Sequence, residues 1–190
     1  MIAFRPLDLP GLVEITPRRH GDDRGFFSES YKRSAWEAAG IADAFVQDNH
    51  SRSEARLTLR GLHFQIPPHA QAKLVRMIRG RAFDVAVDLR RGSPTFGTWR
   101  AVELSAEKGN QLYVPVGFAH GFLTLEPDTE ALYKVSAEYA REHERGLAWD
   151  DPEVGVAWPL EGGRAILSEK DSRLPRLAEL DIPFRFEQGP

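Results

Sequence analysis

Gly80-Arg81-Ala82-Phe83-Asp84-Val85-Ala86-Val87-Asp88-Leu89 alternates cleanly from Ala82 onward, with Phe83, Val85, Val87 and Leu89 on one face of an extended strand and Asp84, Ala86 and Asp88 on the other. A period of two marks a strand in a sheet. Gly80-Arg81 separates it from a second candidate strand, Ala72 to Arg79, and the pair reads as a hairpin. The same grammar repeats outward. Downstream, Arg91 to Gly97 is a turn, Trp99 to Leu104 alternates again, Glu107 to Asn110 turns the chain into Gln111 to Val114, and Ala131 to Ala137 is a further strand. Upstream, Leu12 to Thr16, Phe26 to Tyr31 and Phe45 to Ser51 are short strands, the last beginning apolar and ending in a row of hydrogen-bonding side chains. Lys32 to Ala39 carries a helical pattern stopped by Gly40, and a short helix is expected from Pro175 to Glu179 in an otherwise loop-like last third. Many short strands punctuated by turns predict an antiparallel sandwich or barrel, not alternating β and α units.

Within this frame Leu59-Arg60-Gly61-Leu62-His63-Phe64-Gln65 places chemistry on a rigid element. Strict alternation puts Leu59, Gly61, His63 and Gln65 on one face and Arg60, Leu62 and Phe64 on the other. An imidazole gives and takes protons near neutral pH, and Lys73, a short way downstream, offers positive charge to the anion that proton removal creates. The pair suggests carbanion or enolate chemistry. Taken alone, His63 is equally well a satisfied core histidine and Lys73 a surface lysine with a buried stem.

The totals narrow the classes. With 190 residues, 42% of them hydrophobic and 28% charged, the chain is expected to form one domain over residues 1–190. No apolar run is long enough to span a bilayer and Met1 to Pro6 lacks a signal-peptide core, so a cytoplasmic location is the expectation. The absence of cysteine excludes disulfides, cysteine nucleophiles and thiolate metal sites. A net charge of −3 gives no bulk field for nucleic acid, so an anionic ligand must be held by a local cluster.

Pro115-x-Gly117-x-x-His120, following a strand, resembles the second sequence motif of the cupins, a family of antiparallel jelly rolls. Metal-binding cupins pair it with a first motif, H-x-H, and a downstream acid. Here His63 is followed by Gln65, and His69, Gln71 and Lys73 come without a carboxylate, so no catalytic metal is expected. The resemblance extends further. Asp22-x-Arg24-Gly25-x-Phe27, Gln47-x-Asn49-x-Ser51, Arg60-Gly61-Leu62-His63-Phe64-Gln65, Lys73-Leu74-Val75, Phe83 to Asp88, Ser93 to Gly97, Gly117 to Phe122 and Ser168-x-Lys170-Asp171 resemble, in order, the signatures of the dTDP-4-dehydrorhamnose 3,5-epimerases.

That resemblance implies a cupin-like all-β jelly-roll barrel with a few peripheral helices, inverting carbons 3 and 5 of a dTDP-linked 4-keto-6-deoxyhexose on the way to dTDP-L-rhamnose. It implies His63 as base paired with Asp171, Tyr133 as proton donor and Lys73 as holder of the enolate oxygen. It also implies Arg60, His120, Lys170 and Glu144 around the sugar and diphosphate, and Arg24, Glu29, Gln47, Asp48 and Asn49 at the nucleotide. Asp84 is expected to orient a sugar hydroxyl or the surroundings of His63. The partner implied is a second copy, a homodimer with exchanged N-terminal strands; neither nucleic acid nor membrane is expected, and the chemistry calls for no metal or redox cofactor.

Singly, each residue has an ordinary reading: Arg24 in a turn, Glu29 solvated on a strand, Asp171 capping a turn at Ser172, Tyr133 alternating out of a sheet with Tyr139 as its rival. The same motifs also suit a 3- or 5-epimerase of a related sugar from antibiotic biosynthesis, and less well a sugar-nucleotide-binding cupin without catalysis or a metal-dependent one.

Overall fold

The computed structural model describes residues 2–187. Thirteen strands form three sheets, and every strand pairing is antiparallel. The first sheet contains β1 (Ala3–Pro6), β2 (Val13–Thr16), β5 (Gln47–Ser53), β7 (Lys73–Arg79), β10 (Gln111–Val114) and β12 (Thr129–Val135), in the spatial order β1-β2-β10-β7-β12-β5. The second contains β6 (Leu59–Gln65), β8 (Arg81–Asp88), β9 (Trp99–Ser105), β11 (Phe118–Thr124) and β13 (Glu144–Gly146), ordered β13-β6-β11-β8-β9. A separate hairpin of β3 (His20–Asp22) and β4 (Gly25–Phe27) pairs with neither. One short helix, α1 (Arg33–Ala38), lies where the helical pattern predicts it. This is the expected all-β, cupin-like architecture. Among the described residues no helix is long and apolar enough to cross a membrane.

The two large sheets face each other. Val75, Met77, Leu112, Val114 and Ala131 of the first meet Ala82, Ala86, Val102, Leu104, Phe118 and Phe122 of the second in one buried cluster. Each such side chain, removed from water, contributes roughly 1.5–3 kcal/mol for the larger residues. Outside, Trp36 from α1 and Ile41 cover Ile15, Leu74 and Tyr113.

Two expectations about the central strands are corrected. β7 and β8 do not pair as a hairpin. β7 lies between β10 and β12, while β8 lies between β11 and β9, so Gly80 carries the chain from one sheet to the other. Its φ of +71° and the Thr129 Oγ1 atom 2.5 Å from where a Cβ would sit both demand glycine. The apolar face of β8 also points away from the barrel. Val85, Val87 and Leu89 pack under Leu147, Val154, Ile182 and Phe184, and the opposite face, with Asp84 and Ala86, lines the interior. Both faces are buried because the loop-like last third is a third layer.

Candidate active site

One end of the barrel interior is polar. On β5, alternation sends Gln47, Asn49 and Ser51 inward; on β7 it sends Lys73, on β12 Tyr133 and on β11 His120. Strict alternation on β6 would turn Arg60 away from His63, yet both line the cleft. The cause is a β-bulge. Arg60 pairs with Phe122 and His63 with His120, so Gly61 and Leu62 together oppose the single residue Gly121. The bulge reverses the phase of the strand and brings the guanidinium beside the imidazole. Gly61 has φ +111°, and a Cβ there would lie 2.7 Å from both Gly121 Cα and His120 O.

The cleft has two lobes of about 260 Å³ each, joined at His63, Lys73 and Tyr133. One adds Arg60, His120, Ser168, Lys170 and Asp171; the other adds Gln47, Asn49, Gln65, Tyr139 and Glu144. His63 Nε2 lies 2.6 Å from Asp171 Oδ1. Burial pushes the Asp171 carboxyl up, but the His63 hydrogen bond and charge, Ser168 and the Gly61 N–H outweigh it and hold it below the usual carboxylate range. An ionised carboxylate on Nε2 leaves Nδ1 as the nitrogen with a free lone pair. Asp171 therefore does not cap the turn at Ser172; Ser168 Oγ accepts from the Asp171 N–H, which accounts for the Ser168-x-Lys170-Asp171 pattern.

Lys73 is buried and donates from Nζ to His63 O at 3.1 Å. Desolvation lowers its pKa to about 8, against the opposing charges of Asp84 and Glu144. Tyr133, facing His63 from the other sheet, is half-buried, and desolvation pushes its phenol up; Arg60 opposes and Glu144 reinforces the shift. Tyr139 is exposed at the rim, its hydroxyl donating to Glu144 Oε2 at 2.8 Å, so of the two tyrosines it is Tyr133 that stands between the lobes. Glu144 also receives Lys170 Nζ at 2.6 Å. Asp84 is wholly buried and accepts from His120 Nε2 at 2.8 Å, so it serves His120, not His63.

Three expected binding residues lie elsewhere in this chain. Asp48 alternates to the outer face of β5, where it pairs with Lys134 at 2.9 Å. Arg24 is exposed at the β3–β4 turn on Asp22, and Glu29 lines a separate groove with Arg18, His20 and Phe27. Conversely, Ser51 and Gln65 line the cleft without having been expected to; the i, i+2 spacing from Asn49 and His63 is the signal that finds them. Gln65 ties the rim together, donating to His69 O at 2.7 Å and accepting from the Ala140 N–H at 2.8 Å.

Comparison with known proteins agrees with this geometry. The family model described as dTDP-4-dehydrorhamnose 3,5-epimerase matches residues 6–179. The dTDP-4-dehydrorhamnose 3,5-epimerase of Sinorhizobium fredii is 53% identical over 184 residues, covering 96% of this chain and 93% of that protein. A dTDP-6-deoxy-D-glucose-3,5-epimerase from Legionella pneumophila, solved in complex with dTDP-4-keto-L-rhamnose, superposes with a TM-score of 0.94 at 41% identity, covering 99% of this chain and all of the other. The Bacillus anthracis dTDP-4-dehydrorhamnose 3,5-epimerase, solved with TDP and pyrophosphate, gives 0.90 at 46% identity over 93% of this chain and 99% of its own.

Proposed function

The chain belongs to the dTDP-4-dehydrorhamnose 3,5-epimerase family, a family of isomerases, and we propose that its cleft inverts carbons 3 and 5 of dTDP-4-dehydro-6-deoxy-D-glucose by proton transfer between His63, the substrate and Tyr133. The observation that carries this reading is a histidine–aspartate pair on one sheet facing a protonated phenol on the other, with a buried lysine between them.

His63 takes the proton from the carbon beside the ketone, and the C–H electron pair moves onto the carbonyl oxygen. Asp171 favours the imidazolium that results. Lys73 holds the enolate oxygen, where a fixed cation in a site of low dielectric is worth far more than in water. Tyr133 returns a proton to the same carbon from the opposite side, and the enolate pair forms the new C–H bond. Solvent then restores the phenol and takes the proton from His63, and the cycle repeats at the second carbon. Arg60, His120 and Lys170 suit the sugar and diphosphate, since guanidinium and ammonium groups bind phosphate oxygens.

In this reading residues 1–190 act as one epimerase unit, a reading supported by the extent of the family match. Arg24 and Glu29 complete the nucleotide site of a second copy in a homodimer with exchanged N-terminal strands. The exposed β3–β4 hairpin supports that exchange. The absence of any membrane-crossing helix among the described residues is compatible with action in the cytoplasm.

The test is incubation with dTDP-4-dehydro-6-deoxy-D-glucose in deuterium oxide, followed by NMR. Deuterium at both carbons, with a product reducible to dTDP-L-rhamnose, is the expected result. Exchange at one carbon selects a single-site epimerase, and exchange at neither overturns the proposal.

A further inference from the structure

Asp84 on β8 is fully buried, and only one of its carboxylate oxygens is used: Oδ1 receives His120 Nε2 at 2.8 Å, while Oδ2 has no hydrogen-bond partner. Its register neighbours, Phe122 on β11 and Val102 on β9, are apolar, so packing alone would be served better by an apolar side chain. A carboxylate kept in such a place requires a charge to answer.

Six strands and the segment bearing Asp171 bring titratable or charged groups to this end of the barrel: Arg60 and His63 from β6, Lys73 from β7, Asp84 from β8, His120 from β11, Tyr133 from β12 and Glu144 from β13. Among the carboxylates, Asp171 is engaged by His63, and Glu144 by Lys170 and Tyr139. Asp84 keeps a free oxygen, and its charge favours the protonated Lys73 against burial. No hydrogen bond joins Asp84 to Lys73, whose ammonium bonds the His63 carbonyl. The lysine thus retains donors for a substrate oxygen. A carboxylate in direct contact would occupy them.

Resting on the reaction proposed above, we propose that Asp84 is a positioning residue for epimerisation: one oxygen fixes the His120 ring through Nε2, and the other supplies the negative charge that keeps Lys73 an ammonium until an enolate oxygen forms beside it. The acid–base residues remain His63 and Tyr133. Asp84 touches no substrate.

Asp84→Asn is the informative variant, because it retains the shape and an oxygen for His120 Nε2–H but removes the charge. The expected outcome is a kcat lower by about tenfold or more with KM within about threefold, because the loss falls on charge that develops in the transition state. The alkaline limb of the kcat profile should move down by about one pH unit, the scale set by loss of a nearby opposite charge. A 13Cε NMR titration of lysine, assigned with Lys73→Met, should show Lys73 titrating lower in Asp84→Asn than in the parent. If Asp84→Asn does not fold, the same titration in His120→Gln should show Lys73 titrating higher, because the carboxylate is then released towards it. An unmoved Lys73 titration in the folded variant overturns the proposal, as does a loss of kcat with no shift of the alkaline limb. A parent protein that exchanges neither carbon would overturn the proposed reaction instead, and the lysine titration would still judge Asp84.

Discussion

His63 and Lys73 are joined by a hydrogen bond from Nζ to the histidine's own carbonyl, so base and cation move as one unit. Replacing His63 with Ala removes the base and should abolish deuterium incorporation at both carbons, a loss of about 10²–10⁴-fold or more in kcat. Lys73 sets a pH limit. With its pKa lowered to about 8, the ammonium that holds the enolate is present below that pH and lost above it, so kcat/KM should fall as pH rises through about 8. Lys73→Arg stays charged in this range and should flatten that limb, although a guanidinium of different shape lowers the rate. Stability runs the other way. The ordinary lysine value is 10.5, so between about 8 and 10.5 the unfolded chain binds more protons than the folded one, and stability rises with pH across that window. Denaturant midpoints measured through this range should show the rise in the parent and lack it in Lys73→Met.

At the scale of the element, the strands were legible and their partners were not. Alternation from Ala82 to Leu89 announces β8, but it cannot say that Val85 and Val87 turn outward, because what covers them is a layer of residues 147–184 with no periodic pattern of its own. The Gly80 turn looks like a hairpin turn locally; only the pairing of β7 with β10 and β12 reveals a crossing between sheets. Arg60 was expected at the sugar and diphosphate on resemblance while alternation argued against it, and the bulge at Gly61 and Leu62 reconciles the two. This makes Gly61 testable. An alanine there meets backbone atoms at 2.7 Å in a left-handed conformation, so Gly61→Ala should cost about 2 kcal/mol or more and uncouple Arg60 from His63, read as a lower Tm and a raised KM. The Ser93 to Gly97 signature has a structural role. Asp88, fully buried, accepts from the Arg90 guanidinium and N–H and from the Ser93 and Thr95 hydroxyls, both at 2.7 Å. Burial raises its carboxyl, but these bonds outweigh it and hold it below the model value of 3.8. Its stabilisation is therefore present above about pH 4 and lost as pH falls through the folded value. Asp88→Ala strands these donors and should destabilise by about 3 kcal/mol, measured by urea unfolding at pH 7.

At the scale of the molecule, the hairpin of β3 and β4 is the part that its own chain leaves uncovered. Phe26 and Phe27 are 61% and 68% exposed, and the hairpin adds to neither large sheet. Adjacent exposed aromatics on a projecting element mark a surface that another molecule covers. If that molecule is a second copy, a two-fold interface makes the arrangement reciprocal: each subunit lends Arg24 to its partner's cleft and receives one in its own. Arg24→Ala and His63→Ala are then each inactive or severely impaired for different reasons. The first lacks the guanidinium it lends, and the second lacks the base it keeps. Unfolded together and refolded at equal concentration, the two variants should form mixed dimers in which one cleft combines an intact His63 with an Arg24 from the other chain. Half of the dimers are mixed and one of their two clefts is whole, so about a quarter of the parent activity should return. Recovery near zero, with mixed dimers verified by mass-tagged subunits, would mean that Arg24 serves its own chain or none. A parent protein that sediments as a monomer would remove the exchange altogether.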